Sequence, residues 1–282
     1  MGKIVSAGIL SWRFALWVGS LLLLFARPAW SDEAGYQLVT DIAYHGDAPP
    51  SQYAAERCRL DFYYPAGAKQ FATVVWLHGG GLKNGKRYVP EGLKGKGIAV
   101  VAVDYRLSPR AKAPAYLVDA AAAVAWTRQN IEPYGGAREK VIVSGHSAGG
   151  YLAAMLALDR RWLAAHKIDP NELAGFAPYS AQTMTHRTIR VERGLKASTP
   201  LVDDLAPLQH ITKHTPPLLL ITGDRRLESP GRYEQNALLH ALLLDAGHKD
   251  AKLYELQGFN HGTMREPGHP LLLRFIKRVT AN

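Results

Sequence analysis

A predicted strand that turns sharply into a predicted helix at Ser147 constrains the fold of this chain more than any other feature of its sequence. Residues 141–143 are β-branched and apolar, residues 148–158 are small and apolar at helical spacing, and a Gly-x-Ser-x-Gly pattern joins them. A turn this sharp leaves no room for side chains at Gly145 and Gly149, and it holds Ser147 in a strained conformation with its hydroxyl exposed. The N-terminus of the following helix favours developing negative charge at the same place. We therefore expect Ser147 to be a nucleophile in acyl transfer rather than part of a chance glycine-rich turn.

The rest of the chain predicts an α/β fold, a mostly parallel central sheet with helices on both faces, because short β-branched runs alternate with longer helical patterns. The predicted strands are 58–64, 72–77, 98–103, 140–144, 174–179, 217–222 and 251–256. The predicted helices are 116–130, 148–158, 232–246 and 270–280.

The domain organisation follows from these elements. With 282 residues, 47% of them hydrophobic, the chain suits one well-cored domain, which we place at residues 57–282 after an irregular lead-in at 32–56. Residues from about 180 to 215 lack a clear period. We expect them to pass over the C-terminal edge of the sheet as a short insertion that shapes the substrate pocket.

The N-terminal residues 1–31 have the pattern of a signal peptide. Arg13 precedes an apolar stretch from Phe14 to Ala26, and a small-x-small site ends at Ser31, where we expect cleavage. The apolar stretch is shorter than the roughly 20 residues of a spanning helix, so the mature protein should have no stable membrane span. These features predict a secreted or periplasmic location.

The net charge and the cysteine content of the chain exclude few classes of protein function. The formal net charge is +10, but no basic run with interleaved aromatic residues indicates a nucleic-acid partner, and a solvated basic surface explains the excess. Cys58 is the single cysteine. An intrachain disulfide is therefore impossible, and we expect Cys58 to pack as a small apolar residue.

A second glycine-rich turn, His78–Gly81, follows the predicted strand 72–77. Backbone N–H groups of residues without side chains can approach a developing oxyanion closely, and each such donor stabilises it by about 3 kcal/mol. We assign Gly80, Gly81 and the amide of Ala148 to an oxyanion hole. A flexible glycine turn is the alternative, which the neighbouring Ser147 turn disfavours.

A serine hydroxyl needs a base, and a histidine suits that role near neutral pH. His261 follows the last predicted strand and a glycine turn. We therefore predict that His261 is the base. His248 and His269 compete with His261 for this role.

The remaining histidine patterns indicate structural roles. The pair His210/His214 has the spacing of a metal-binding helix face, but prolines end any helix there and no carboxylate completes a site, so we expect no metal and no cofactor. His78 and His146 are expected to make structural hydrogen bonds in their turns.

Four motifs occur in the order His78–Gly81, Asp104–Pro109, Gly145–Gly150 and Asn260–Gly262. With them the chain resembles the α/β-hydrolase carboxylesterases over residues 57–280, in particular the compact branch that includes hormone-sensitive-lipase-like and feruloyl-esterase-like enzymes. The resemblance implies carboxylic esters as small-molecule substrates and a covalent acyl-serine mechanism.

The resemblance also assigns structural roles. It implies that Asp104–Pro109 is a loop beneath the oxyanion strand, held by charge-assisted hydrogen bonds of Asp104 or Arg106, so neither residue is expected to be catalytic. Asp119 is likewise interpreted as a structural carboxylate.

The acid that orients His261 should follow strand 217–222, in the chain order serine, acid, histidine. Asp224 comes first and is the predicted acid, and Glu228, one turn further on, is the alternative. The sequence departs here from the commoner family pattern, because Arg226 stands where the acid is expected.

Different activities are possible on the same fold. A formamidase or a peptidase-like amidase would use the same constellation. A binding protein without activity would be expected to have lost Ser147, His261 or the glycines, and all of them are present.

The insertion carries a basic run from His186 to Lys196. If Arg187, Arg190 or Arg193 reaches the cleft, a guanidinium there would favour substrates with a carboxylate. A solvated basic face is the alternative interpretation.

Overall fold

The computed structural model describes Gly2 and residues 35–281. Apart from Gly2, the predicted signal peptide at residues 1–31 lies outside the described residues. No helix in the described part of the chain combines the length and apolar character needed to cross a membrane.

Among the described residues, eight strands form one mixed sheet in the order β1-β2-β4-β3-β5-β6-β7-β8. The pairs β1–β2 and β2–β4 are antiparallel, and all other neighbours are parallel. The parallel centre explains the continuous apolar runs that mark these strands, because both of its faces are buried. The strands are β1 Tyr36–Ala43, β2 Arg59–Pro65, β3 Phe71–Leu77, β4 Ala99–Val103, β5 Gly136–His146, β6 Gly175–Tyr179, β7 Leu218–Gly223 and β8 Ala251–Leu256.

Helices cover both faces of the sheet. They are α1 Gln52–Arg57, α2 Ala115–Asn130, α3 Ala148–Leu158, α4 Arg161–Ala164, α5 Arg187–Glu192, α6 Arg232–Asp245 and α7 Arg265–Val279. Successive side chains of a strand point to opposite faces. Val75 therefore joins the core formed with α2, α3 and α6, whereas Trp76 joins the core formed with α7. The predicted fold class is confirmed.

The structure corrects the predicted irregular lead-in at 32–56, which contains the edge strand β1 and the helix α1. β1 pairs with β2, with Val39 opposite Phe62. Val39 is the single fully buried residue of β1, so the strand has little apolar pattern to reveal it. A further difference is that α7 begins at Arg265, not at residue 270, and includes Pro270.

The insertion after β6 contains α5 and a short 3₁₀ turn at Pro207–His210. It reaches the glycine-rich turn after β3, because the hydroxyl of Thr188 donates to the carbonyl of Gly81 at 2.5 Å. The insertion thus lies beside the C-terminal ends of the central strands, as predicted.

Candidate active site

The turn at Ser147 has the strained geometry that its glycines predict. Ser147 adopts φ 58° and ψ −112° between β5 and α3, and its N–H donates to the carbonyl of Tyr179 at 2.9 Å. A Cβ at Gly145 would lie 2.5 Å from the carbonyl oxygen of Leu77, and a Cβ at Gly149 would lie 1.9 Å from the same atom. The close passage of β3 therefore requires glycine at both positions.

His261 lies between Ser147 and Glu228. Its Nε2 is 2.9 Å from Oγ of Ser147, and its Nδ1 is 2.8 Å from Oε2 of Glu228. An ionised carboxylate only accepts hydrogen bonds. Nδ1 therefore carries the proton and donates to Glu228, which leaves Nε2 to accept the serine hydroxyl proton. This is the arrangement of a serine nucleophile, its base and an orienting acid.

The acid beside His261 is Glu228, and the predicted contact of Asp224 with His261 is wrong. The carboxylate of Asp224 accepts the backbone N–H of Arg226 at 2.9 Å and that of Gly258 at 3.0 Å, and it also pairs with the guanidinium of Arg226. These hydrogen bonds, with the Arg226 side chain first among them, hold the pKa of Asp224 well below its usual range. An aspartate bound to the N–H two residues ahead is turned back onto its own loop.

The surroundings of Glu228 keep it ionised. Its side chain is almost completely buried, and burial alone would raise its pKa. Hydrogen bonds from His261 and Ser180 and the positive charge of His261 outweigh this effect. Together with a further bond from the backbone N–H of Gly223, they lower the pKa of Glu228 to about 2.

Ser180, which no sequence motif marks, joins the same group. Its Oγ lies 2.9 Å from Nδ1 of His261, and it also hydrogen-bonds Glu228. Ser180 follows the end of β6 with a positive φ of 46°. The pairing of β6 with β7 brings it to the site, and that pairing cannot be read from the local sequence.

His146 fixes the loop that carries His261. Its Nε2 lies 2.7 Å from the carbonyl oxygen of His261, and the two rings are 4.7 Å apart. Burial, helped by the nearby His261, lowers the pKa of His146 to about 3. The ring is therefore neutral and donates to that carbonyl, which is the structural role expected for it.

The turn after β3 offers two backbone donors. Gly80 and Gly81 have φ of 108° and 65°, and a Cβ at Gly80 would lie 2.0 Å from the carbonyl oxygen of Asn84. In the described part of the chain, neither N–H has a hydrogen-bond acceptor. Ala148 is the first residue of α3, where the helix leaves its N–H groups unpaired. Gly80 and Gly81 thus line one cleft with Ser147, and the N–H of Ala148 is adjacent to Ser147 in the chain.

The loop after β4 supports this turn from beneath, as the resemblance implies. Asp104 accepts hydrogen bonds from Arg87 and lies 3.4 Å from Nε2 of His78. The guanidinium of Arg106 donates hydrogen bonds to both carboxylate oxygens of Asp119, at 2.8 and 2.7 Å. Neither acid contacts His261, so both have structural roles.

The cleft over Ser147 and His261 has a volume of about 500 Å³, and its charged lining residues are all basic within the described chain. They are Lys86, Arg187, Arg232 and Arg265. Of the three arginines singled out in the basic run, Arg187 alone lines the cleft. Arg190 donates to the carbonyl of Thr199, and Arg193 pairs with Asp203.

One group of three residues outside the cleft has metal-ligating atoms within 4.8 Å of one another, namely His45, Cys58 and Asp119, in the region that the structure describes. Arg106 already occupies both oxygens of Asp119. Burial, together with the Asp119 charge, raises the pKa of Cys58 to about 12, which keeps the thiol protonated. These contacts suit a packed structural cluster better than a cation site.

Comparisons with known proteins agree with this geometry. The BD-FAE family model matches residues 60–186. Esterase LipC of Mycobacterium tuberculosis is 27% identical over 71% of this chain and 52% of its own length. A probable N-octanoylanthranilate hydrolase of Rhodococcus erythropolis, AqdA2, is 31% identical over 69% of this chain and 49% of its own length. The chain thus spans about half the length of these relatives.

A solved structure described as a truncated carbohydrate esterase from gut microbiota has the same fold. Its TM-score is 0.70 at 17% identity, over 87% of this chain and 96% of that chain. The sheet order, the turn at Ser147 and this similarity show that the chain has the α/β-hydrolase fold. The BD-FAE model and the curated relatives add a sequence similarity to esterases.

Proposed function

We propose that this chain hydrolyses carboxylic esters through an acyl intermediate on Ser147. The observation that carries the proposal is the continuous path from Oγ of Ser147 through the ring of His261 to the carboxylate of Glu228, with distances of 2.9 and 2.8 Å. The esterase names of several relatives, such as LipC, support the same bond specificity.

In the acylation step, His261 takes the proton from Ser147 as Oγ attacks the ester carbonyl. The carbonyl oxygen gains negative charge, and the N–H groups of Gly80, Gly81 and Ala148 stabilise it by about 3 kcal/mol for each effective donor. Glu228 stabilises the imidazolium form of His261 and keeps its own charge. The tetrahedral intermediate then collapses, the ester C–O bond breaks, and His261 gives its proton to the departing alcohol.

Deacylation reverses these roles. A water molecule loses a proton to His261 and attacks the acyl-serine carbonyl. Collapse of the second intermediate returns the proton to Ser147 and releases the carboxylic acid. Residues of this chain perform every step, and the reaction requires no redox change.

Labelling with a fluorophosphonate tests the nucleophile, together with hydrolysis of 4-nitrophenyl esters. We expect Ser147→Ala to fold but to lose both labelling and hydrolysis. Ser198→Ala, which removes an exposed serine hydroxyl outside the cleft, is the matched control and should retain both. Undiminished labelling of Ser147→Ala would refute the assignment.

A second candidate is hydrolysis of an N-acyl amide, which the name of the relative AqdA2 favours. The same residues can perform it, because His261 would protonate a departing amine as it protonates an alcohol. Comparing kcat/KM for N-octanoylanthranilate and for 4-nitrophenyl octanoate separates the two. A higher value for the amide would make amide hydrolysis the main activity.

For the location of the protein we propose secretion, and the support is the pattern of residues 1–31. Expression in a Gram-negative host followed by mass spectrometry of the N-terminus tests this. We expect a mature chain beginning after Ser31. An intact chain confined to the cytoplasm would contradict the proposal.

A further inference from the structure

The cleft is positively charged, although the proposed ester hydrolysis does not need a cationic side chain. The cleft is lined by the four cations Lys86, Arg187, Arg232 and Arg265 and, within the described chain, by no aspartate or glutamate. Neither general base catalysis nor an oxyanion hole requires a cation on a side chain. Glu228, the acid nearest to this chemistry, hydrogen-bonds His261 and does not line the cleft.

Arg232 is the most unusual of these cations because it is buried. Its exposure is 7%, and it is the first residue of α6, where the helix dipole disfavours positive charge. Burial lowers the pKa of Arg232 to about 10, because it outweighs the opposing charge of Glu228, and the charge of Arg187 adds to the effect of burial. Its guanidinium donates to the carbonyl of Ser180. Glu228 is close enough for its charge to act on Arg232, but its Oε2 is held by His261, and no described carboxylate forms a direct ion pair with Arg232.

A buried guanidinium without a carboxylate partner destabilises the fold unless an anion compensates its charge. Arg187 lies close enough to affect the pKa of Arg232, and it is exposed at the start of α5. No carboxylate within the described residues pairs with Arg187 either. Arg187, at the start of α5, and Arg232, at the start of α6, both line the cleft over Ser147.

The other two arginines of the basic run, Arg190 and Arg193, have partners outside the cleft. Arg193, one turn beyond Arg190 in the basic run, is neutralised by Asp203. Arg190 is directed to the carbonyl of Thr199. Of the three arginines of this run, Arg187 lines the cleft and has no acid partner among the described residues, which is the pattern expected for a residue that binds an anion.

We propose that the cleft selects esters that carry a carboxylate, and that Arg187 and Arg232 bind this carboxylate while Ser147 attacks the ester carbonyl. The inference rests on the proposed ester hydrolysis at Ser147. The carboxylate stays ionised and unchanged throughout, so the bonds that form and break are those of the acyl transfer alone. Lys86 and Arg265 add positive potential at the mouth of the cleft and raise the local concentration of such substrates.

Two matched pairs of esters test the proposal on both sides of the scissile bond. On the acyl side, mono-4-nitrophenyl adipate is compared with 4-nitrophenyl hexanoate. On the alcohol side, 4-acetoxybenzoate is compared with 4-acetoxybenzamide. We expect kcat/KM for the anionic member of at least one pair to exceed that of the neutral member by about tenfold or more, and the ratio to fall with added salt.

Variants then assign the preference to residues. Arg187→Gln should lower the anionic-to-neutral ratio by about tenfold, mainly through KM. Arg232→Lys keeps the positive charge but cannot donate two parallel hydrogen bonds to one carboxylate. It should lower the anionic-to-neutral ratio less than Arg232→Gln does. Arg274→Gln removes an exposed arginine outside the cleft and should leave the ratio unchanged. If Arg232→Gln does not fold, Arg187→Gln and the salt dependence decide.

The outcomes separate this inference from the proposed function. Hydrolysis of neutral esters with no anionic preference, or with a preference that Arg187→Gln and Arg232→Lys both retain, overturns the inference and leaves ester hydrolysis standing. Failure to hydrolyse any ester, together with no fluorophosphonate labelling of Ser147, overturns both.

Discussion

Oε2 of Glu228 lies 2.8 Å from Nδ1 of His261, whereas Asp224, the first acid after β7, is bound to Gly258 and Arg226. Both acids belong to the same turn, because the N–H of Glu228 donates to the carbonyl of Asp224. The two acids therefore have different roles. Glu228 faces the histidine, and Asp224 ties this turn to the loop that carries the histidine.

Replacing each acid by its amide should distinguish the role of Glu228 in catalysis from that of Asp224 in holding the loop. Glu228→Gln removes the charge that stabilises the imidazolium form of His261, and we expect kcat to fall by roughly 10³–10⁴-fold, as for the acid of the serine-protease triad that serves as the standard example. Asp224→Asn should mainly lower the free energy of unfolding. Steady-state kinetics and urea unfolding of both variants measure this, and the reverse order of kcat losses would restore Asp224 as the catalytic acid.

Removing the hydroxyl of Ser180 should fix the position of the His261 ring less firmly, while the hydrogen bond between His261 and Glu228 remains. We expect Ser180→Ala to lower kcat by about tenfold with little change in KM, and to shift the low-field proton resonance of Nδ1–H of His261. Ser144→Ala removes another buried hydroxyl, which donates to the carbonyl of Ala177 at 2.6 Å within the sheet. This control should lose stability but keep the resonance unchanged. A resonance that does not move in Ser180→Ala would contradict the positioning role.

Glu228 should also contribute to the pH dependence of stability. Its pKa is about 2 in the folded chain against an ordinary value of 4.5, so its contribution is complete above about pH 4.5 and is lost as the pH falls towards 2. Glutamine does not titrate. The advantage of the wild type over Glu228→Gln in free energy of unfolding should therefore shrink across this range. Urea unfolding at pH values from about 6 to about 3 measures it, and a constant difference would contradict the assigned pKa.

The glycine at position 149 should be indispensable for folding. A Cβ there would lie 1.9 Å from the backbone oxygen of Leu77, which cannot move without displacing β3. We expect Gly149→Ala to lower the free energy of unfolding by more than about 3 kcal/mol. Gly262→Ala is the control, because its Cβ would meet its nearest neighbour, Oδ1 of Asn260, at 3.6 Å. Equal losses in the two variants would show that crowding at Gly149 is not the cause.

Much of the fold could be predicted because its signals are local. Strands β3, β4 and β7 are nearly continuous apolar runs with buried residues throughout. The strand-turn-helix pattern identifies Gly145 and Gly149, although the atom that crowds both, the carbonyl oxygen of Leu77, belongs to β3. Strand β1 escaped prediction because its stability comes from pairing with β2, and all of its residues except Val39 are half-buried or exposed. Edge strands of this kind lack the apolar pattern on which prediction depends.

The sequence by itself determined the α/β architecture and brought Ser147 and His261 into consideration, because each lies at the end of a strand in a motif with its own steric logic. The tertiary structure alone decided between Asp224 and Glu228, since the choice depends on which carboxylate the loop after β8 leaves free. It also decided that Ser180 joins the site and that Arg187 and Arg232 both line the cleft. These residues are far apart in the chain, and strand order and the path of the insertion, which no local pattern encodes, bring them together.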